Sequence, residues 1–221
     1  MADYLTAEEV RAESVAAMPA PLGQLHNDLY SQVSWLHAKW KEFRGLYGNS
    51  TGRIELINSA APAFFGDLQR MMTEDVMLHL CRLTDPPRSA GKDTLTILRL
   101  PQVIPDKVLK GEIQSLASDA RSKTDFARDW RNRRLAHREL PPPAGQPADP
   151  LAEAAIRHFE SALAAIRETL NCLERHYLKS SVSYENTIVQ SGGIDSLVYY
   201  LKKAVDSHLA EQAAWKPRIR E

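Results

Sequence analysis

Apolar residues spaced alternately three and four positions apart are the feature that most constrains this chain. Between residues 156 and 177 the spacing is kept by seven residues: Ile156, Phe159, Leu163, Ile166, Leu170, Leu173 and Tyr177. Such spacing forms one seam along a helix and favours left-handed packing against other helices. Residues 22–47 also show a helical apolar pattern, and residues 62–83 are apolar almost all round, which is typical of a buried central helix. We therefore predict an all-α helical bundle.

Shorter elements are predicted between the long helices. Asp93 or Thr94 would cap a short helix over residues 95–100, and Pro101 would end it. Pro105 suits the first turn of a fourth long helix, because proline needs no hydrogen-bond donor there. Evidence for strands is thin.

The two ends of the chain are predicted to carry helices of their own. Thr6 and Glu9 have the spacing of a capping box, and residues 194–214 show a last helical pattern. We divide the chain into an N-terminal arm (residues 1–21), a helical bundle (22–180) and a C-terminal helical extension (181–221).

Composition excludes several classes of protein. The 28 basic and 28 acidic residues balance, so non-specific binding of polyanions by bulk charge is a poor interpretation. The N-terminus lacks the pattern of a signal peptide, and no apolar run is long enough to cross a membrane. Cys81 and Cys172 lie alone in helical patterns and fit a reducing compartment. We expect a soluble, cytoplasmic protein without metal or cofactor.

One stretch departs from this balance, because residues 128–138 hold five arginines and one aspartate. The arginines are Arg128, Arg131, Arg133, Arg134 and Arg138. Asp129 and Arg133 could form an ordinary ion pair across one helical turn. Arg134 and Arg138, however, are like charges at the same spacing, which mildly destabilises a helix. The cluster therefore favours an anionic ligand.

The same stretch resembles a known family. Arg131 and Asn132, followed by His137, fit the HEPN signature of an arginine, a polar residue, a short spacer and a histidine. The context DWRNRRLAHRE resembles the abortive-infection-associated (AbiU2-like) branch of that superfamily. The segment RLTDPP (Arg82–Pro87) is also similar to one of that branch. The resemblance covers roughly residues 22–180.

The resemblance implies a HEPN-type bundle and a metal-independent endoribonuclease, active as a homodimer in a toxin or phage-defence setting. Arg131 would stabilise charge on the phosphate, Asn132 would orient it, and His137 would transfer protons. The other four arginines would bind RNA phosphates. An antitoxin or regulatory protein is a further possible partner. Some HEPN proteins are non-catalytic, so an assembly module that binds RNA, a nucleotide or a protein is the alternative.

Helix geometry leaves three arrangements open for this site. Positions six apart lie about 120° apart around an ideal helix, so Arg131 and His137 do not share a face. The arginine could reach around, the helix could loosen before Pro141, or a second subunit could complete the site.

Two other features are given structural interpretations. Residues 191–196 (SGGIDS) resemble the phosphate loop of ATP pyrophosphatases, but that loop belongs to a parallel sheet, and Ser191 or Asp195 as a helix cap explains it better. Trp130 could stack on a base, although core packing is the better interpretation.

Overall fold

The computed structural model describes residues 6–48, 50–136, 150–186 and 192–215, and nearly all of their regular structure is helical. The α-helices are α1 (Ala7–Ala16), α2 (Leu22–Tyr47), α3 (Thr51–Ala60), α4 (Pro62–Thr84), α5 (Leu100–Val103), α6 (Lys107–Lys123), α7 (Asp125–Trp130), α8 (Ile156–Tyr177) and α9 (Gly193–Ala214). Two short antiparallel strands are β1 (Arg88–Ser89) and β2 (Lys92–Asp93). Short 3-10 turns cover Ile97–Arg99 and Tyr184–Asn186, and a π-helical turn covers Arg131–Leu135. The predicted all-α fold is confirmed.

The chain falls into two compact units, and α2 and α4 contribute to both. The first unit contains Met1–His37 and Glu74–Thr187, and the second contains Ala38–Thr73 and Ile188–Glu221, in each case for the residues described. The division into arm, bundle and extension stays a prediction. Among the described helices, none is both long and apolar enough to cross a membrane.

The core of the first unit forms where α6 packs against α8. The buried side chains of α8 include five members of the predicted seam: Phe159, Leu163, Ile166, Leu170 and Leu173. The buried residues of α6 are also spaced by three or four, and they are Leu109, Ile113, Ala117 and Ala120. Two of the four are alanines, which leave room for the helices to approach closely. The seam predicted from the sequence is therefore the packing surface of α8.

The second unit contains α3, a helix that the sequence did not predict. Ser50 caps it by accepting a hydrogen bond from the backbone N–H of Arg53. The Arg53 guanidinium then donates to Asp195 of α9 at 2.8 Å and to the Gly45 carbonyl at 2.6 Å. A Cβ atom at Gly45 would lie 2.3 Å from Cγ2 of Ile194, so glycine is needed for this approach. α3 is a ten-residue helix with no clear apolar face, and contacts with residues distant in sequence thus hold it in place.

Two predicted helix starts are wrong. Thr96, and not Asp93 or Thr94, caps the 3-10 turn that leads into α5, because its hydroxyl accepts from the Leu98 N–H. Pro101 lies within the first turn of α5 instead of ending a helix, and proline is tolerated there because its missing N–H is not needed. Asp106 caps α6, since its carboxylate accepts from Leu109 N–H at 2.7 Å, and Pro105 precedes the cap.

The prediction of a wholly buried α4 is also wrong. Phe64 and Met71, in the first half of the helix, are 62% and 61% exposed. Val76, Met77 and Leu80, in the second half, are buried. An apolar pattern on all sides shows that a helix can be buried, but it does not show which side packs.

A buried polar cluster joins α2, α8 and the 3-10 turn at Tyr184–Asn186 in the first unit. The Glu174 carboxylate accepts a hydrogen bond from the Tyr184 hydroxyl at 2.9 Å and lies 3.2 Å from Nε2 of His26. The His37 ring packs on Tyr184, with the ring centroids 5.8 Å apart. Its buried Nε2 has no hydrogen-bond partner in the described part of the chain. The two histidines of α2 are therefore core residues.

We predict that His37 makes stability depend on pH. Burial, assisted by the positive charge of Arg167 and opposed by Glu185, lowers the pKa of His37 from 6.5 to about 4. Between these values the unfolded chain binds a proton that the folded protein does not, so stability is lost as pH falls from 6.5 towards 4. The loss should be on the order of 3 kcal/mol. Urea unfolding across this range should show a shallower dependence for His37→Phe than for the wild type. Parallel curves would contradict the prediction.

Candidate active site

The helix that carries the predicted site is interrupted at Thr124. α6 ends at Lys123, and Thr124, with φ −100° and ψ 7°, leads the chain into α7. Its hydroxyl lies 2.8 Å from the hydroxyl of Thr84, the last residue of α4, and both threonines are fully buried. The prediction of one uninterrupted fourth helix is therefore wrong, because a hydrogen bond to another helix stabilises the break.

Arg128 connects α7 to the junction that Thr84 and Thr124 form. Its guanidinium donates to the Thr84 hydroxyl at 3.0 Å, to the Asp125 carboxylate at 2.8 Å and to the Arg121 carbonyl. The side chain is only 12% exposed. Arg128 was predicted to bind phosphate, but the structure surrounds its guanidinium with protein acceptors.

Arg131 contacts the RLTDPP segment, the other part of the sequence that resembles the family. Its Nη1 lies 2.5 Å from Oδ2 of Asp85, which follows α4 in the RLTDPP segment. Its Nε donates to Oδ1 of Asn132 at 3.1 Å. Both members of the Arg131–Asp85 pair are 25% exposed, so the pair is partly shielded from solvent. The fold thus joins two segments that lie 46 residues apart in sequence.

The helix widens where the motif begins. Arg131–Leu135 adopts π-helical geometry, and the Ala136 N–H donates to the Arg131 carbonyl at 2.8 Å, five residues back. Asn132 and Arg134 are exposed on this turn. Single π-helical turns within helices occur frequently at functional sites. The described part of the helix is thus loosened, as one of the three arrangements considered above requires, and how Arg131 and His137 come together stays a prediction.

Three other side chains near the motif hold the chain where it returns at Pro150–Ala152. Asp129 accepts from the Ala152 N–H at 2.8 Å, and the Trp130 indole donates to the Ala152 carbonyl at 2.8 Å. Arg133 donates to the Pro150 carbonyl at 3.1 Å and lies 3.5 Å from Asp129, the predicted ion pair. Trp130 is only half-buried and Arg133 is engaged by protein, so both have structural contacts in this conformation.

His137 and Arg138 lie outside the described residues, which end on this side at Ala136. The structure therefore brings together Arg131 and Asn132, and it places Arg134 exposed on the same turn. The role of His137 stays a prediction from its place in the sequence motif.

A cleft of about 350 Å³ borders the Asp85 side of the ion pair. Polar and charged side chains line much of it, including those of Gln32, Arg82, Ser89 and Thr94. Its volume is at the lower end of the range for small-molecule sites, about 300–1,000 Å³.

The remaining candidates have structural explanations. Gly192, with φ 99°, precedes α9, and Asp195 is used in the ion pair with Arg53, while Ser191 lies outside the described residues. Cys81 and Cys172 are free and buried, and burial raises the pKa of each thiol to about 11. Among the described residues, no group of three or more His, Cys, Asp or Glu could hold a metal ion.

Sequence reasoning missed Thr84 and Asp85 as residues of the site. Both belong to the RLTDPP segment that the analysis singled out, but neither had been given a role. The signal present in the sequence was the pair of prolines after Asp85. Proline restricts the backbone of the residue before it, so the direction of the chain is fixed immediately after α4.

We predict that Arg128 and Arg134 differ sharply in their effect on stability. Arg128→Ala removes hydrogen bonds to buried groups and should lower the free energy of unfolding by about 2–3 kcal/mol. Arg134→Ala, at an exposed position, should change it by no more than about 0.5 kcal/mol. Urea unfolding of the two variants measures both values. Equal losses would contradict the structural role of Arg128.

Comparison with known proteins assigns the chain to a family. No curated protein and no solved structure gives a significant match to the chain. The family model HEPN_AbiU2, described as AbiU2, matches residues 20–194. The match includes both the RLTDPP segment and the helix with Arg131 and Asn132, and it covers well over half of the chain. The chain therefore belongs to the AbiU2 family of HEPN domains.

Proposed function

We propose that this protein is a metal-independent endoribonuclease that acts as a homodimer in a toxin or phage-defence setting. The observation that carries the proposal is the state of Arg131. It is a partly shielded arginine, held by two acceptors at the start of a widened helical turn, in the sequence motif of the family. A fixed cation of this kind suits a reaction in which negative charge develops on a phosphate.

The proposed reaction needs no metal ion. The 2′-oxygen of the RNA attacks the adjacent phosphorus while the bond from phosphorus to the 5′-oxygen breaks. The imidazole of His137 takes the 2′-hydroxyl proton, and the protonated His137 of the second copy gives a proton to the leaving oxygen. The products are a 2′,3′-cyclic phosphate and a 5′-hydroxyl. Arg131 stabilises the charge on the phosphorane-like transition state, and Asn132 orients the phosphate.

The described contacts support different parts for the arginines. Arg131, with unused donors, and Arg134, which is exposed, are suited to phosphate. Arg128 and Arg133 instead donate to protein groups. The proposed RNA-binding surface therefore contains fewer than the five arginines predicted from the sequence. It consists of Arg131 and Arg134, and Arg138 would extend it.

A second copy of the chain would supply the matching motif. This proposal rests on the family to which the chain belongs. We also propose Trp35, which is exposed on α2, as an interface residue.

We predict that the purified protein cuts a fluorescently labelled single-stranded RNA pool in EDTA. Arg131→Ala and His137→Ala should each lower the rate by at least about 100-fold, because each removes a group acting in the transition state. Arg70→Ala, which removes an exposed arginine of α4, is the matched control and should cut like the wild type. Mapping the fragment ends should reveal cyclic phosphates.

Three results would contradict the proposal. Folded, dimeric wild type that leaves RNA intact would favour the non-catalytic binding module. Cutting that persists in both variants would exclude the proposed residues. Cutting abolished by EDTA would exclude a metal-independent mechanism. Binding without cleavage would weaken steeply with salt and survive His137→Ala, which separates the alternative from the enzyme.

A further inference from the structure

We propose that Asp85 is a positioning residue that holds the Arg131 guanidinium ready for the scissile phosphate. The inference rests on the proposed endoribonuclease function and extends it to Asp85, which directly follows the end of α4. It concerns the orientation of Arg131, because Asp85 would not touch the RNA.

The contact geometry is the first argument. Asp85 engages Nη1 of Arg131 at 2.5 Å, and Asn132 accepts from Nε at 3.1 Å. Two acceptors on different nitrogens fix the rotation of a planar guanidinium. In the described part of the chain no hydrogen bond uses Nη2. Because Asp85 does not take both terminal nitrogens, donors remain for phosphate oxygens.

The second argument is that Asp85 is itself firmly placed. The preceding Thr84 is fully buried and donates to the Leu80 carbonyl at 2.8 Å. Pro86, which follows, restricts the backbone of Asp85, and the Pro86 carbonyl accepts from the Thr94 hydroxyl at 2.6 Å. The carboxylate therefore extends from a fixed point and does not belong to a freely moving surface side chain.

The third argument comes from comparison with the neighbouring arginines. Arg128 donates to Thr84 of α4, to the Arg121 carbonyl of α6 and to Asp125 of α7, and Arg133 binds the returning chain at Pro150. Arg134 is exposed on the π-helical turn. Arg131 alone among these four is held by a carboxylate of the RLTDPP segment while keeping donors unused within the described structure. Orientation of a cation before substrate arrives reduces the entropy lost in the transition state.

The test is single-turnover cleavage of the labelled RNA over a range of protein concentrations, which separates the maximal rate from the half-saturating concentration. Asp85→Ala should lower the maximal rate by about 10–100-fold and leave the half-saturating concentration nearly unchanged. Asp85→Asn keeps an oxygen that can accept from Arg131 and should recover part of that rate. Asp93→Ala, which breaks another aspartate–arginine pair at 2.8 Å, should cut like the wild type.

The inference would be overturned by any of three results. A rate for Asp85→Ala equal to that of Asp93→Ala would overturn the inference. A rate above the wild type would overturn it too, because Asp85 would then be a competitor of phosphate. Equal loss in Asp85→Ala and Asp85→Asn, accompanied by lowered thermal stability, would make Asp85 merely structural.

A second measurement separates this inference from the proposed function. The Nε–H signal of Arg131 in a nitrogen-15 spectrum, identified by its loss in Arg131→Lys, should be sharp in the wild type and broadened in Asp85→Ala. An unchanged signal would overturn the inference even if the wild type cleaves RNA. A wild type that leaves RNA intact while this signal responds to Asp85→Ala would contradict the endoribonuclease proposal and leave the orientation of Arg131 by Asp85 established.

Discussion

The hydrogen bond between the hydroxyls of Thr84 and Thr124 is the contact on which the rest of the site depends. It joins the end of α4 to the break between α6 and α7, with both threonines inside the core. Because the Thr84 hydroxyl also donates to the Leu80 carbonyl at 2.8 Å, it accepts the hydrogen bond from Thr124. Arg128 completes the junction by donating to Thr84. α7 and the π-helical turn that follows it, which begins at Arg131, take their direction from this point.

The side chains of the site consequently have two different tasks: some hold the protein's own chain in place, and others keep donors for a ligand. Arg128, Asp129 and Trp130 face other parts of the protein, and they fix the helix and the returning chain. Arg131 combines the two tasks, because Asp85 and Asn132 accept from its Nη1 and Nε, while its Nη2 forms no hydrogen bond in the described part of the chain. The four described arginines of the run thus differ in their surroundings, since Arg128 and Arg133 donate to protein groups while Arg134 is exposed.

The sequence predicted those parts of the fold that depend on local pattern. The seam of α8 and the bounds of α2 follow from apolar spacing alone, and the capping box of Thr6 and Glu9 is present as expected. The break at Thr124 and the pairing of Asp85 with Arg131 could not be predicted in this way, because each depends on residues about 40 or more positions away. For the same reason α3 escaped notice, since its contacts come from α9 and the end of α2.

The attachment of Ala152 to Asp129 and Trp130 has a consequence for how this region can change in evolution. Asp129 and Trp130 of the motif helix bind Ala152, which lies just ahead of α8. The start of α8 is then set by the motif helix and not by the length of the connection. A change in the number of residues between Ala136 and Pro150 would therefore leave both Arg131 and the start of α8 in place.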